Sequence, residues 1–116
     1  MISRVLPKIP CCFVTLMPEW KELREGIKIK ALAQDPKLGL QMDILNVPAG
    51  FADSGHYHGD WEWVYVLEGS IEDEKGLHRK GDFFINSAGV LHKPFSEEGC
   101  KLLIVWSGKV THEGKK

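Results

Sequence analysis

The stretch GFADSGHYHGDWEWVYVLEG, running from Gly50 to Gly69, decides how this chain folds. Its second half, WEWVYVLE over residues 61–68, is aromatic and β-branched and apolar on both faces. That is the pattern of a strand covered on each side. Side chains alternate along an extended chain. Glu62, Val64 and Val66 therefore share one face, expected to be the interior. Trp61, Trp63, Tyr65 and Leu67 share the other, which needs cover from another sheet, the N-terminal arm or a second subunit. His56, His58 and Glu62 have the same parity, so two imidazoles and a carboxylate project one way and can converge on one metal ion. A loop around Gly59 and Asp60 permits this convergence without requiring it.

Downstream of this stretch, Gly69, Gly76 and Gly81 punctuate short strands joined by the charged hairpin Glu72-Asp73-Glu74-Lys75. Asp82–Asn86 is a further strand, Ser87-Ala88-Gly89 the turn that sets His92, and Lys101–Ser107 a last buried strand. Upstream, Leu38, Leu40, Met42 and Ile44 alternate with Gly39, Gln41, Asp43 and Leu45, as in a half-buried strand. Ile27, Ile29 and Ala31 show the same period, and Asp35-Pro36-Lys37 is a turn between the two. Residues 19–25 suit one helical turn ending near Gly26. Residues 1–18 are apolar and carry Pro7, Pro10 and Pro18, which forbid a long helix and suit an arm laid on the domain or on a partner subunit. Many short strands with glycine turns and almost no helical period predict an all-β sandwich or barrel.

A chain of 116 residues makes a single domain. Its 15 basic and 16 acidic residues are mixed along the chain, with no basic patch to suit nucleic acid or an anionic membrane. No apolar run approaches a membrane span. Three cysteines, two of them adjacent at Cys11 and Cys12, suit a reduced compartment. Pro7, Lys8 and Pro10 interrupt any secretion-signal core, so a cytoplasmic protein is expected.

Gly50, His56, His58, Glu62 and Gly69 match the first motif of the cupins at every fixed position. Gly81, Gly89 and His92 match the second, with Ser87 where that family usually has Pro and Ser96 where it often has Asn. The chain thus resembles a single-domain cupin, with residues 1–26 as an arm, 27–108 as the barrel and 109–116 as a polar tail. The resemblance implies a jelly-roll β-barrel (a double-stranded β-helix), often assembled as a homodimer. It also implies one metal held by His56, His58, Glu62 and His92. Within the cupins, VLEGSIEDEKG and HKPFSEEGCKLLI are most similar to the cupin-like domain of the ChrR zinc anti-sigma factors and related stand-alone proteins. Small dioxygenases that cleave diketones and hydroxy-ketones share the layout, including the lead-in GIKIKALAQDP.

Three neutral imidazoles and a carboxylate suit one divalent transition ion per chain, Fe, Mn, Ni, Cu or Zn, rather than oxygen-seeking Mg or Ca. Val64, Val66, Phe83 or Phe84, and Leu103 or Ile104 are expected to shape an apolar pocket beside it. Asp53, Tyr57 and Asp60 lie near the ligands, but nothing selects one as a general base, so catalytic residues stay unassigned. His78, after a charged hairpin, is expected to be solvated, and His112 to lie in a loose tail. Cys100 reads as a small buried apolar residue. Two functions follow: a mononuclear metalloenzyme acting on a small organic oxo-compound, or a metal-containing sensor or ligand-binding module.

Overall fold

One strand of twelve residues, Glu62–Asp73, runs through the whole architecture. The computed structural model describes residues 13–14, 18–107 and 110–112, with side chains over 18–57 and 59–107. Every regular element among them is a strand. In order they are β1 (Phe13–Val14), β2 (Trp20–Arg24), β3 (Ile27–Asp35), β4 (Leu40–Val47), β5 (Phe51–Ala52) and β6 (His56–His58). There follow β7 (Glu62–Asp73), β8 (Gly76–Arg79), β9 (Phe83–Asn86), β10 (Phe95–Ser96), β11 (Cys100–Ser107) and β12 (Val110–His112).

All pairings are antiparallel. The first half of β7 lies between β9 and β11, and the sheet continues from β11 through β4 to β3, which carries β1 and β2. Past Gly69 the same strand pairs instead with β8 and, at Glu72, with β10, which in turn pairs with β5. A strand shared by two sheets curls them toward each other into a half-barrel. Its concave side holds the core of Ile27, Leu45, Val47, Phe51, Val64, Val66, Ile71, Cys100, Leu102 and Ile104. As the parity of residues 61–68 predicts, Glu62, Val64 and Val66 are buried while Trp61, Trp63 and Tyr65 face outward.

Three expectations change. Residues 20–24 are a strand on β3, not a helical turn. Six or seven residues cannot nucleate a stable helix, whereas β3 offers them a full ladder. Gly26 is no helix cap: Glu25 and Gly26 both have positive φ, 47° and 85°, and form the two-residue turn of a β-hairpin. In β4 the inward face is Asp43, Leu45 and Val47, leaving Leu38 69 % exposed and Leu40 half-exposed. Leu45 stands directly opposite Leu102 of β11, and the burial of that strand dictates the face. At the C-terminal end, Val110–His112 is not loose but pairs with β6, placing His112 opposite His56 in register. Of the N-terminal arm, Phe13 and Val14 pair with β3; residues 1–12 and 15–17, with Cys11 and Cys12, lie outside the described residues.

The inward face of β4 carries a buried carboxyl. Asp43 is fully buried, accepting hydrogen bonds from Trp106 Nε1 at 2.7 Å and from Gln41 Nε2 at 2.9 Å. Burial raises its pKa above the usual carboxylate value, outweighing both donors. The native state then binds more protons than the unfolded chain over the pH range just above that value, so this group's contribution to stability falls as pH rises. Asp43→Asn is expected to stabilise the fold at pH 7 by on the order of 1 kcal/mol, a gain of about 4 °C. The gain should vanish toward pH 4; thermal melts of both proteins across pH 4–8 measure it.

Candidate functional site

The backbone brings two of the predicted imidazoles together. His56 and His92 form an isolated antiparallel bridge, each N–H donating to the other's carbonyl at 2.9 Å. Their rings meet edge to face with centroids 5.0 Å apart. Glu62, first residue of β7, stands opposite Asn86 of β9 in register, both pointing inward. Asn86 Nδ2 donates to Glu62 Oε1 at 2.6 Å and lies 3.4 Å from His92 Nε2. His56, Glu62, Asn86 and His92 are all buried. The backbone of His58 lies in β6, two residues from His56; its side chain lies outside the described residues.

Each imidazole has a carboxylate on its outer nitrogen. Asp53 Oδ2 is 3.1 Å from His56 Nδ1, and Glu74 Oε1 is 3.5 Å from His92 Nδ1. A carboxylate can only accept, so on both rings Nδ1 is the donor and Nε2 is the nitrogen turned away from the carboxylate. A metal-ligating histidine is oriented in the same way. Asp53 is itself held by Arg24 at 2.8 Å and by the Gly55 N–H at 2.7 Å. Burial alone would raise its carboxyl, but hydrogen bonds from His56, Arg24 and Gly55 outweigh it and hold the group well below the usual carboxylate range. Two imidazoles and a buried carboxylate lining one cavity form a donor set that fits a divalent transition ion.

That cavity encloses about 260 Å³. His56, Glu62, Asn86 and His92 stand among its lining, and most of the remaining wall is apolar, including Phe51, Val64, Phe84, Leu102, Ile104 and Trp106. Of the residues expected to shape a pocket, Val64, Phe84 and Ile104 line it. Val66 is wholly buried in the core beneath. Phe83 is 56 % exposed on the outer face, and Leu103 has the outward parity of Lys101 and Val105. Alternation along β9 and β11 admits one of each neighbouring pair.

Sequence reasoning passed over several residues around the site. Arg24 arrives on β2, the segment read as a helical turn. Asn86 has the parity of Phe84, a signal legible in FFIN had that strand's facing been applied to its polar end. His78 is not solvated: its ring stacks on Phe84 at 3.8 Å and its Nε2 lies 3.0 Å from Asp73 Oδ1. Asp73, Glu74 and His92 also bring donor atoms within 4.8 Å of one another. There, however, Lys75 Nζ lies 3.4 Å from Asp73 Oδ2 and already supplies a positive charge. Tyr57 and Asp60 stay unassigned. Cys100 is buried, and burial pushes its thiol up to about 11, so it is inert as expected.

A family model for the ChrR cupin-like domain matches residues 13–111. The chain belongs to that family. Among solved structures, this cupin domain is similar to the anti-sigma factor ChrR of Rhodobacter sphaeroides in complex with SigE. There the TM-score is 0.69 at 26 % identity, over 77 % of this chain and 49 % of that one. An RmlC-like cupin of Ralstonia eutropha JMP134 superposes with a TM-score of 0.75 at 21 % identity, over 82 % of this chain and 66 % of that one. An acetylacetone dioxygenase of Acinetobacter johnsonii gives 0.73 at 21 %, over 80 % and 70 %. These likenesses establish the cupin jelly-roll barrel, the double-stranded β-helix, as the fold. The domain spans half of the ChrR chain. By sequence it also matches Flavodoxin 2 of Escherichia coli (strain K12), 34 % identical over 80 residues, covering 61 % of this chain and 46 % of that protein. The cupin domain spans less than half of that protein, and its described residues lack the strand–helix alternation of a flavodoxin-like sheet. No helix among the described residues is long and apolar enough to cross a membrane.

Proposed function

We propose that His56, His58, Glu62 and His92 hold one divalent transition metal, and that the cupin domain is a mononuclear metalloenzyme acting on a small organic oxo-compound. One observation carries this reading: a mostly apolar cavity of about 260 Å³ with its polar donors converging from His56, Glu62 and His92. At about 30 Å³ per atom that volume suits a ligand of about nine non-hydrogen atoms. The Arg24 guanidinium is met by Asp53 at 2.8 Å and Glu25 at 3.5 Å. With that charge balanced, the cavity selects a small, mostly apolar molecule with an oxygen-bearing head rather than a polyanion. A bound ion there supplies Lewis-acid polarisation of a carbonyl or enolate oxygen. The chain's own part is to orient that head, through Asn86 and the ligating side chains, and to keep water from the apolar end.

The test is anaerobic loading with Fe(II), Mn(II), Ni(II) or Zn(II), followed by oxygen uptake and product analysis with small diketones and hydroxy-ketones. Turnover on the order of 1–10 s⁻¹ with at least one ion and substrate is expected. Ligand binding with no turnover for any ion would favour the second reading, a metal-containing sensor or regulatory module. Similarity at 26 % identity to ChrR, a protein crystallised with SigE, supports that alternative.

The cupin domain is further read as a homodimer through the outer face of its larger sheet. Trp61, Trp63, Tyr65, Phe83, Ile85 and Leu40 are between 37 % and 56 % exposed there, and Trp63 and Phe83 meet edge to face at 6.4 Å. Six such side chains expose roughly 500 Å², near the apolar share of an ~800 Å² half-interface. A second copy is the occupant that presents the same area in return. Light scattering should give twice the 13.1 kDa chain mass, and Trp63→Glu should give the single mass. A monomeric wild-type protein at micromolar concentration would end this reading.

A further inference from the structure

The charged turn between β7 and β8 lies outside the proposed ligand set, yet it closes over one side of it. Glu74 and Lys75 form a two-residue loop between the paired Asp73 and Gly76. Charges on such a tip are usually only solvated. Here they reach the site. Lys75 Nζ donates to Asn86 Oδ1 at 2.8 Å while lying 5.6 Å from the Phe84 ring centroid. Glu74 places Oε1 3.5 Å from His92 Nδ1, and its Oε2 accepts the Lys93 N–H at 3.0 Å. Asp73 anchors the turn, accepting the Lys75 N–H at 2.9 Å and pairing with His78, whose ring stacks on Phe84.

An ammonium has donors and no acceptor; a carboxylate has acceptors and no donor. The Asn86 amide stands between one of each. Only one of its two orientations satisfies both neighbours, with Oδ1 on Lys75 and Nδ2 on Glu62. Lys75 therefore dictates which end of the amide meets the Glu62 carboxylate and polarises the bond it makes there. Without the ammonium, Oδ1 loses its donor and the amide is no longer held between two charges.

We propose that the Glu74–Lys75 tip is a positioning clasp: Lys75, acting through Asn86, holds the Glu62 carboxylate, and Glu74 holds the His92 ring, in the orientation that receives a cation from the cavity. Lys75 is a positioning residue, not a ligand. For the cation, though not for the orientation of Asn86, the proposal rests on the metal-binding reading above.

The experiment titrates Co(II) into metal-free wild type, Lys75→Met, Lys75→Arg and His56→Ala, following the dissociation constant and the visible ligand-field bands. Methionine keeps an apolar stem on Phe84 and removes the charge, while arginine restores a donor. Lys75 is half-exposed, so the barrel is expected to stay folded, with the thermal midpoint lowered by roughly 5–10 °C because the buried Asn86 Oδ1 loses its donor. Lys75→Gln takes the place of the methionine variant if the barrel does not stay folded. Lys75→Met should bind Co(II) about 10–100-fold more weakly with shifted bands, and Lys75→Arg should recover most of that loss. Affinity within about twofold of wild type with unchanged bands overturns the clasp. A wild type that binds no better than His56→Ala sinks the metal reading instead. The clasp is then decided by the Asn86 side-chain NH₂ resonances of metal-free protein, resolved and slowly exchanging in wild type and Lys75→Arg. If Lys75→Met leaves them unchanged, the clasp is wrong; if they collapse, it stands.

Discussion

His56→Ala is expected to lose stoichiometric metal binding while the barrel stays folded. The main-chain bridge between residues 56 and 92 uses no side-chain atom and survives the substitution. Asp53 keeps Arg24 and the Gly55 N–H as donors, so no buried carboxylate is stranded. Loss of the Asp53 hydrogen bond and of the ring packing on His92 is expected to cost about 1–2 kcal/mol. Binding should suffer more. Sites of four protein ligands bind with about 10–16 kcal/mol, or roughly 3 kcal/mol per ligand, so removing one should weaken affinity about 100-fold or more. Metal content after dialysis, together with chelator-competition titration, measures the loss. An alanine variant that retains one tightly bound ion per chain would remove His56 from the site and with it the functional proposal.

Gly69→Ala should have the largest effect on stability of any single methyl added to this chain's motif. Gly69 is where β7 passes from one sheet to the other. Its φ is +73°, a region that costs an L-residue about 1–2 kcal/mol. An added Cβ would overlap the Gly99 carbonyl oxygen and come within 2.9 Å of Cys100 Cα, both backbone atoms of the neighbouring strand entry. That carbonyl also accepts the Ser70 N–H, so it cannot retreat without breaking the corner. Strain and displaced backbone together are expected to cost about 3–5 kcal/mol, enough to leave much of the protein unfolded at 37 °C. Gly89→Ala is the comparison. Its φ is +76°, but nothing lies within 4 Å of the added carbon, so only the conformational cost of about 1–2 kcal/mol should appear. Urea denaturation of the two variants separates the terms; equal losses would show that the corner tolerates a side chain.

The two changes probe the two jobs of the stretch from Gly50 to Gly69, and these were unequally legible. Alternation is local, so the inward facing of Glu62, Val64 and Val66 could be read from residue types alone. The same logic put Leu38, Leu40, Met42 and Ile44 on one apolar face of a half-buried strand, yet Leu38, just before β4, and Leu40 are exposed. Facing there is decided by the strand opposite, and Leu102 draws Leu45 and Asp43 inward. Glycine was ambiguous in the same way: a left-handed residue at position 26 suits a helix cap or a hairpin turn, and only the ladder on β3 chose the turn. That choice matters to the site, because it delivers Arg24 to Asp53.

By itself the sequence determined that the chain is all-β and that it closes its strands at glycines, and it nominated His56, His58, Glu62 and His92 as the candidate metal ligands. Those features depend on residue type and on spacings of a few positions. Tertiary structure alone decided what holds the site in place. Arg24 and Asp53 lie 29 residues apart, Glu62 and Asn86 24 apart, and Lys75 and Asn86 11 apart. Their hydrogen bonds exist because particular strands are neighbours in space, and no local periodicity encodes such a meeting.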